Sequence, residues 1–143
     1  MEDAMDTLVM IPGLGSDSAV WNRTIAALEG EVSCLVGNTL NDDSLPDMAR
    51  RILGQAPPAF WLTGVSMGGM VALEIMRVAP GQVKGLALVD TNARPDTEEQ
   101  AKRRRVANTA ILATDDLRLL AEAVSAPSSI HQRRRTFAVS WWR

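Results

Sequence analysis

Ser66 stands in the run Gly64-Val65-Ser66-Met67-Gly68-Gly69, a Gly-x-Ser-x-Gly pattern. A serine hydroxyl can attack a carbonyl carbon when a base takes its proton. Flanking glycines let a strand and a helix approach closely around a sharp turn, which throws the hydroxyl clear of the backbone. Background composition alone produces the pattern in about 4 % of chains this long, so by itself it is weak. Its setting strengthens it. The apolar run Ala59-Phe60-Trp61-Leu62-Thr63 predicts a strand just before it. Met67, Met70, Val71, Ile75 and Val78 recur at helical spacing just after it. At the start of that helix the amide of Met67 would face a developing oxyanion. The plainer reading is a tight turn with a capping serine.

A second glycine-rich loop, Ile11-Pro12-Gly13-Leu14-Gly15-Ser16, follows an earlier apolar run. Such a loop can turn the amide of Leu14 towards Ser66 as a second oxyanion donor, or it can be a purely structural turn. It lacks both Gly-x-x-x-x-Gly-Lys-Ser/Thr and Gly-x-Gly-x-x-Gly, so it does not read as a phosphate-binding loop.

The elements that must position these loops alternate along the chain. Thr7–Ile11 predicts a buried strand stopped by Pro12-Gly13. A helix is expected over Ala19–Glu29, capped by Asp17 or Ser18 and ended by Gly30. A strand is expected over Glu31–Val36. A helix then starts at the capping-box-like Ser44-Leu45-Pro46-Asp47 and ends near Gly54. The Met67–Val78 helix closes at Pro80-Gly81. Val83–Val89 predicts a fourth strand with almost no alternation, the pattern of a strand covered on both faces. Strand–helix alternation means an α/β fold, a parallel sheet with flanking helices. Pro95–Ala113 reads as a helix with a wet basic face at Lys102–Arg105. Thr114-Asp115-Asp116 is expected to cap another helix running to about Val124. The expected organisation is a single domain over 1–143: a sheet core over 1–93, cap-like helices over 94–124 and an atypical tail over 125–143.

Composition bounds the class. The 143 residues are 46 % hydrophobic and 22 % charged, which suits one folded domain and excludes a disordered or collagen-like chain. No apolar run approaches the ~20 residues of a membrane span, so no membrane partner is expected. The acidic N-terminus lacks the basic stretch of a secretory signal. The single cysteine, Cys34, suits a reducing cytoplasm and reads as strand filling. Residues 1–100 carry 6 basic and 14 acidic side chains, whereas residues 101–143 carry 9 and 3. That basic end has no nucleic-acid motif beside it, so Arg103–Arg105 and Arg133–Arg135 read as solvated and no nucleic-acid partner is expected.

From Leu8 to Ala110 the chain resembles the α/β-hydrolase superfamily of serine esterases and lipases. The resemblance rests on Pro12-Gly13-Leu14-Gly15, on the elbow at Ser66 and on the strand Leu86-Ala87-Leu88-Val89-Asp90-Thr91. It implies that Ser66 is the nucleophile and that Leu14 and Met67 supply oxyanion amides. Pro12 stands where many members have histidine, which removes a side chain but no backbone donor. Members continue through two further strands that deliver the acid and then the histidine, and the fold here is expected to be a shortened one. The family order is Ser, acid, His. The one histidine, His131, follows Ser66 and is the base by elimination, or else simply solvated. Asp90, at a strand's C-terminal end, is the candidate acid, or else it only orders the next loop. Asp115 and Asp116 read more simply as helix N-terminal acids. Trp21, Trp61, Met67 and Met70 are candidates to line an acyl pocket, with core packing the simpler role for Trp61 and Met70.

The leading expectation is therefore a carboxylic ester hydrolase for short acyl chains, with no metal or organic cofactor. Catalytically incomplete binding proteins and nucleic-acid-binding proteins are the alternatives. An apolar edge at Val83–Val89, together with Phe137, Trp141 and Trp142, further predicts a homodimer in which His131 could serve Ser66 in trans.

Overall fold

A computed structural model describes residues 5–116, 118 and 119. These fall into two compact units, one holding residues 5–93 and the other beginning at Arg94. The first unit contains strands β1 (Thr7–Ile11), β2 (Ser33–Val36), β3 (Phe60–Val65) and β4 (Val83–Val89). They form one parallel sheet in the order β2-β1-β3-β4. Helices α1 (Asn22–Ala27), α2 (Leu45–Leu53) and α3 (Met67–Val78) make the crossovers. The expected α/β architecture is thus observed.

The core lies between the sheet and the pair α2 and α3. Val9 and Leu62 are register partners, as are Ile11 and Gly64, so they share a face. On that face Val9, Ile11, Phe60 and Leu62 pack with Met48, Ala49 and Ile52 of α2 and with Val71, Ala72 and Ile75 of α3. Each large aliphatic side chain fully removed from water contributes about 1.5–3 kcal/mol. Ser44 caps α2 by accepting from the Asp47 amide at 3.3 Å, and Pro46 occupies its first turn. Proline is suited there because that position has no intrahelical partner for an N–H.

Four expectations for the first unit are corrected in detail. The helix over 19–29 is divided into a 3-10 turn, Ser18–Trp21, and the short α1. The Asp17 side chain accepts from Ala19 N at 2.9 Å and tightens this start. α1 buries none of its residues, so nothing rewards a longer helix. β2 begins at Ser33 rather than Glu31, because the Glu31 and Val32 amides still donate to the Leu28 carbonyl. β3 runs two residues past Thr63, because Gly64 and Val65 pair with Leu88 and Val89. β4 is not covered on both faces among the described residues. Lys84, Ala87 and Leu88 are exposed, as an edge strand allows. Cys34 is only half-buried in β2.

The second unit contains α4 (Glu98–Thr114), which starts at Glu98 rather than Pro95 because Thr97 caps it in a reciprocal capping box with Gln100. Thr114 is its last residue, and Asp115 ends it in the left-handed conformation. The basic face is exposed, with Arg103 paired to Glu99 and Arg104 to Asp96. Asp116 accepts from the Arg118 amide at 3.0 Å. The rest of the expected next helix, and the tail with His131, Phe137, Trp141 and Trp142, lie outside the described residues.

Candidate active site

β3 ends at Val65 and α3 begins at Met67, so Ser66 alone makes the turn between them. Its dihedrals are φ 54° and ψ −118°. Few non-glycine residues adopt positive φ, and such strain persists only where the surroundings enforce it. Three close approaches do so, two of them to backbone atoms. A Cβ on Gly64 would lie 2.2 Å from the Gly68 carbonyl oxygen, and one on Gly68 would lie 2.2 Å from the Ile11 carbonyl oxygen. A Cβ on Gly69 would meet the Thr91 side chain at 2.5 Å. Strand, turn and helix are pressed together at separations only glycine permits. The Ser66 side chain is exposed and makes no capping bond to α3, so it is not acting as a helix cap.

The backbone of Ser66 is tied to the neighbouring strand. Its N–H donates to the Val89 carbonyl at 3.0 Å. Its carbonyl accepts from Gly69 N at 3.0 Å and from Thr91 Oγ1 at 2.6 Å. Because Val65 and Val89 are register partners, Ser66 and Asp90 leave the sheet side by side. Asp90 is exposed with φ 46°, a conformation aspartate tolerates better than most residues.

The loop after β1 reaches the same place. Gly13 is buried, and a Cβ built on it would lie 3.3 Å from Ser66 Cβ. Ser16 closes the loop by donating from its backbone N–H, at 3.2 Å, and from Oγ, at 2.8 Å, to the Gly13 carbonyl. Leu14, at the tip, is 48 % exposed, and Gly15 takes φ 70°. The structure therefore gathers Gly13, Ser66, Met67 and Asp90 at the C-terminal ends of β1, β3 and β4. Thr91 joins them, and its sequence position beside Asp90 announced no role for it.

The remaining candidates lie differently. The Met67 side chain is partly buried against the core. Trp21 is 8 % exposed, and its buried indole Nε1 has no hydrogen-bond partner. Trp61 is partly buried and donates from Nε1 to Asp6 at 3.0 Å. A cavity of about 220 Å³ opens at the ends of β1 and β2, between Pro12, Ser16 and Asp17 on one side and Gly37, Asn38 and Thr39 on the other. Ser66 does not line it. Among the described residues no group of three or more His, Cys, Asp or Glu could hold a metal ion, and no helix is long and apolar enough to cross a membrane.

The sheet order, the crossovers and the sharp serine turn are those of the α/β-hydrolase fold. No family model matches it. It is 39 % identical over 94 residues to a pimeloyl-acyl-carrier-protein methyl ester esterase of Yersinia pseudotuberculosis, a match covering 59 % of this chain and 36 % of that protein. An enzyme of the same description from Edwardsiella ictaluri is 34 % identical over 91 residues, covering 57 % and 35 %. This chain thus spans about a third of the length of those curated relatives. Among solved structures, an esterase of Thermogutta terrifontis matches with a TM-score of 0.62 at 29 % identity, over 73 % of this chain and 44 % of that one. A hydrolase of Pseudomonas aeruginosa shares the fold with a TM-score of 0.70 at 19 % identity, over 84 % and 49 %.

Proposed function

We propose that the protein hydrolyses carboxylic esters of short acyl chains through an acyl-enzyme on Ser66. One observation carries the reading: Ser66 is an exposed, strained residue on a glycine-enforced strand-to-helix turn. Strain of that kind is retained where it serves a site. The names of the Yersinia, Thermogutta and Pseudomonas proteins, two esterases and a hydrolase, support the reaction class.

In this mechanism Ser66 Oγ attacks the ester carbonyl carbon while its proton passes to His131. The carbonyl oxygen becomes an oxyanion held by the amides of Met67 and Leu14. On collapse the leaving alkoxide oxygen takes the proton from the imidazolium and departs as the alcohol, and the acyl group stays on Ser66. Water, deprotonated by the same imidazole, releases the carboxylic acid. Asp90 orients the imidazolium and balances its charge. The curated relatives are named as methyl ester esterases, which supports ester cleavage as the reaction class.

The test is release of p-nitrophenol from its acetate and butyrate esters by the purified protein beside Ser66→Ala. Turnover that disappears in Ser66→Ala supports the reading, and equal turnover in both proteins refutes it. A second reading, a hydrolase-like binding protein without efficient turnover, is favoured by the presence of a single histidine in the chain. His131→Ala separates the two, since an incomplete triad predicts slow turnover indifferent to it. The proposed homodimer draws support from the exposed apolar residues Ala87 and Leu88 on the β4 edge. A monodisperse monomer in light scattering at micromolar concentration refutes it.

A further inference from the structure

We propose that Thr91 is a positioning residue that aims the Met67 amide at the oxyanion, an inference resting on the proposed nucleophilic role of Ser66. The Ser66 carbonyl and the Met67 N–H belong to one peptide unit, and no peptide bond among the described residues is cis. In a planar trans peptide the two groups point in opposite directions, so fixing the carbonyl fixes the amide. Thr91 Oγ1 donates to the Ser66 carbonyl at 2.6 Å across 25 residues of sequence. The other donor to that carbonyl, Gly69 N at 3.0 Å, belongs to the same helical turn and would move with it. Thr91 instead anchors the peptide to the segment that leaves β4.

Two further contacts make the anchor firm. The Ser66 N–H donates to Val89, so both backbone groups of the strained residue are held by the same strand and its exit. The Thr91 side chain also lies against Gly69, where a Cβ would come within 2.5 Å of its Cβ and Oγ1. Rotation of the Thr91 hydroxyl away from its carbonyl is therefore confined. The bond has a second consequence. A hydroxyl donating to the carbonyl polarises the peptide and strengthens its N–H as a donor, because hydrogen bonds in a chain reinforce one another. Since the Met67 amide would do most for the charged intermediate, the gain falls on the transition state rather than on substrate binding.

The test compares Thr91→Val, which keeps the branched shape against Gly69 and removes the hydroxyl, with Thr91→Ser, which keeps the hydroxyl. In hydrolysis of p-nitrophenyl butyrate, Thr91→Val should lower kcat about 3- to 10-fold, as loss of one net hydrogen bond implies, with KM within about twofold. Thr91→Ser should restore most of kcat. The Met67 amide nitrogen resonance should shift in Thr91→Val and return in Thr91→Ser. It is read on the folded chain whatever its turnover rate, so an unmoved Met67 resonance in Thr91→Val overturns the proposal. Wild-type kcat in Thr91→Val beside an inactive Ser66→Ala also overturns it and leaves the role of Ser66 standing. Full activity in Ser66→Ala overturns the nucleophile reading and this proposal with it.

Discussion

Replacing Gly64 by alanine puts a methyl carbon 2.2 Å from the Gly68 carbonyl oxygen, 2.4 Å from the Gly68 carbonyl carbon and 2.7 Å from the Gly69 nitrogen. Carbon–oxygen contacts settle near 3.3–3.6 Å, so relief needs about 1 Å of movement. All three obstructing atoms are backbone, and no side-chain rotation can provide it. α3 must therefore lift from β3, and α3 carries Val71, Ala72 and Ile75 into the core. Overpacking that only backbone shifts can relieve costs about 3 kcal/mol. For a domain of this size that lowers Tm by about 10 °C. Gly81→Ala is the control, because a Cβ at Gly81 meets nothing within 4 Å and Gly81 does not take positive φ. Thermal unfolding followed by circular dichroism should place Gly64→Ala far below wild type and Gly81→Ala within about 2 °C of it, since exposed substitutions stay near ±0.5 kcal/mol. Equal midpoints for the two variants would refute the claim that contact with α3 demands glycine at position 64.

Three further outcomes follow from the same geometry. Ser66→Gly should be more stable than Ser66→Ala by about 1 kcal/mol in urea unfolding, because glycine relieves the strain at φ 54°; equal stabilities would contradict that strain. The Asp6 carboxyl is held below the ordinary carboxylate range first by the Lys84 hydrogen bond and then by the Trp61 indole, against desolvation. Folded Asp6 therefore takes up its proton at lower pH than the unfolded chain does. Its stabilisation is complete above about pH 4 and is lost as pH falls through the lower folded value. The stability difference between wild type and Asp6→Asn should accordingly shrink between pH 6 and pH 3, and a constant difference would rule out this linkage. Gly85→Ala should push the Trp61 ring aside, since its Cβ would lie 2.5 Å from Trp61 Cζ3, and the tryptophan fluorescence should change relative to Gly81→Ala.

Much of the architecture was legible because local rules decide it. β1, α3 and β4 have the bounds that their apolar runs and flanking Pro-Gly pairs predict, and Ser44 caps α2 as its residue type suggests. Ser66 stood out for the same reason: two glycines around a serine, between an apolar strand and a helical stripe, leave few local conformations. The boundaries that moved were those set by partners distant in sequence. β3 extends through Gly64 and Val65 only because β4 lies beside it. The stretch after Asp17 is divided around the buried Trp21, and α1 buries no residue that would lengthen it.

The sequence by itself determined the kinds of element, their order, and the position of the glycine-flanked turn at Ser66. These depend on backbone preference and apolar periodicity, which act over a few neighbouring residues. Only the tertiary structure decided the sheet order β2-β1-β3-β4, the approach of Gly13 to Ser66, and the bond from Thr91 to the Ser66 carbonyl. Those contacts join segments far apart in the chain. They arise when crossover helices bring the strand ends together, and no pattern within either segment specifies the meeting.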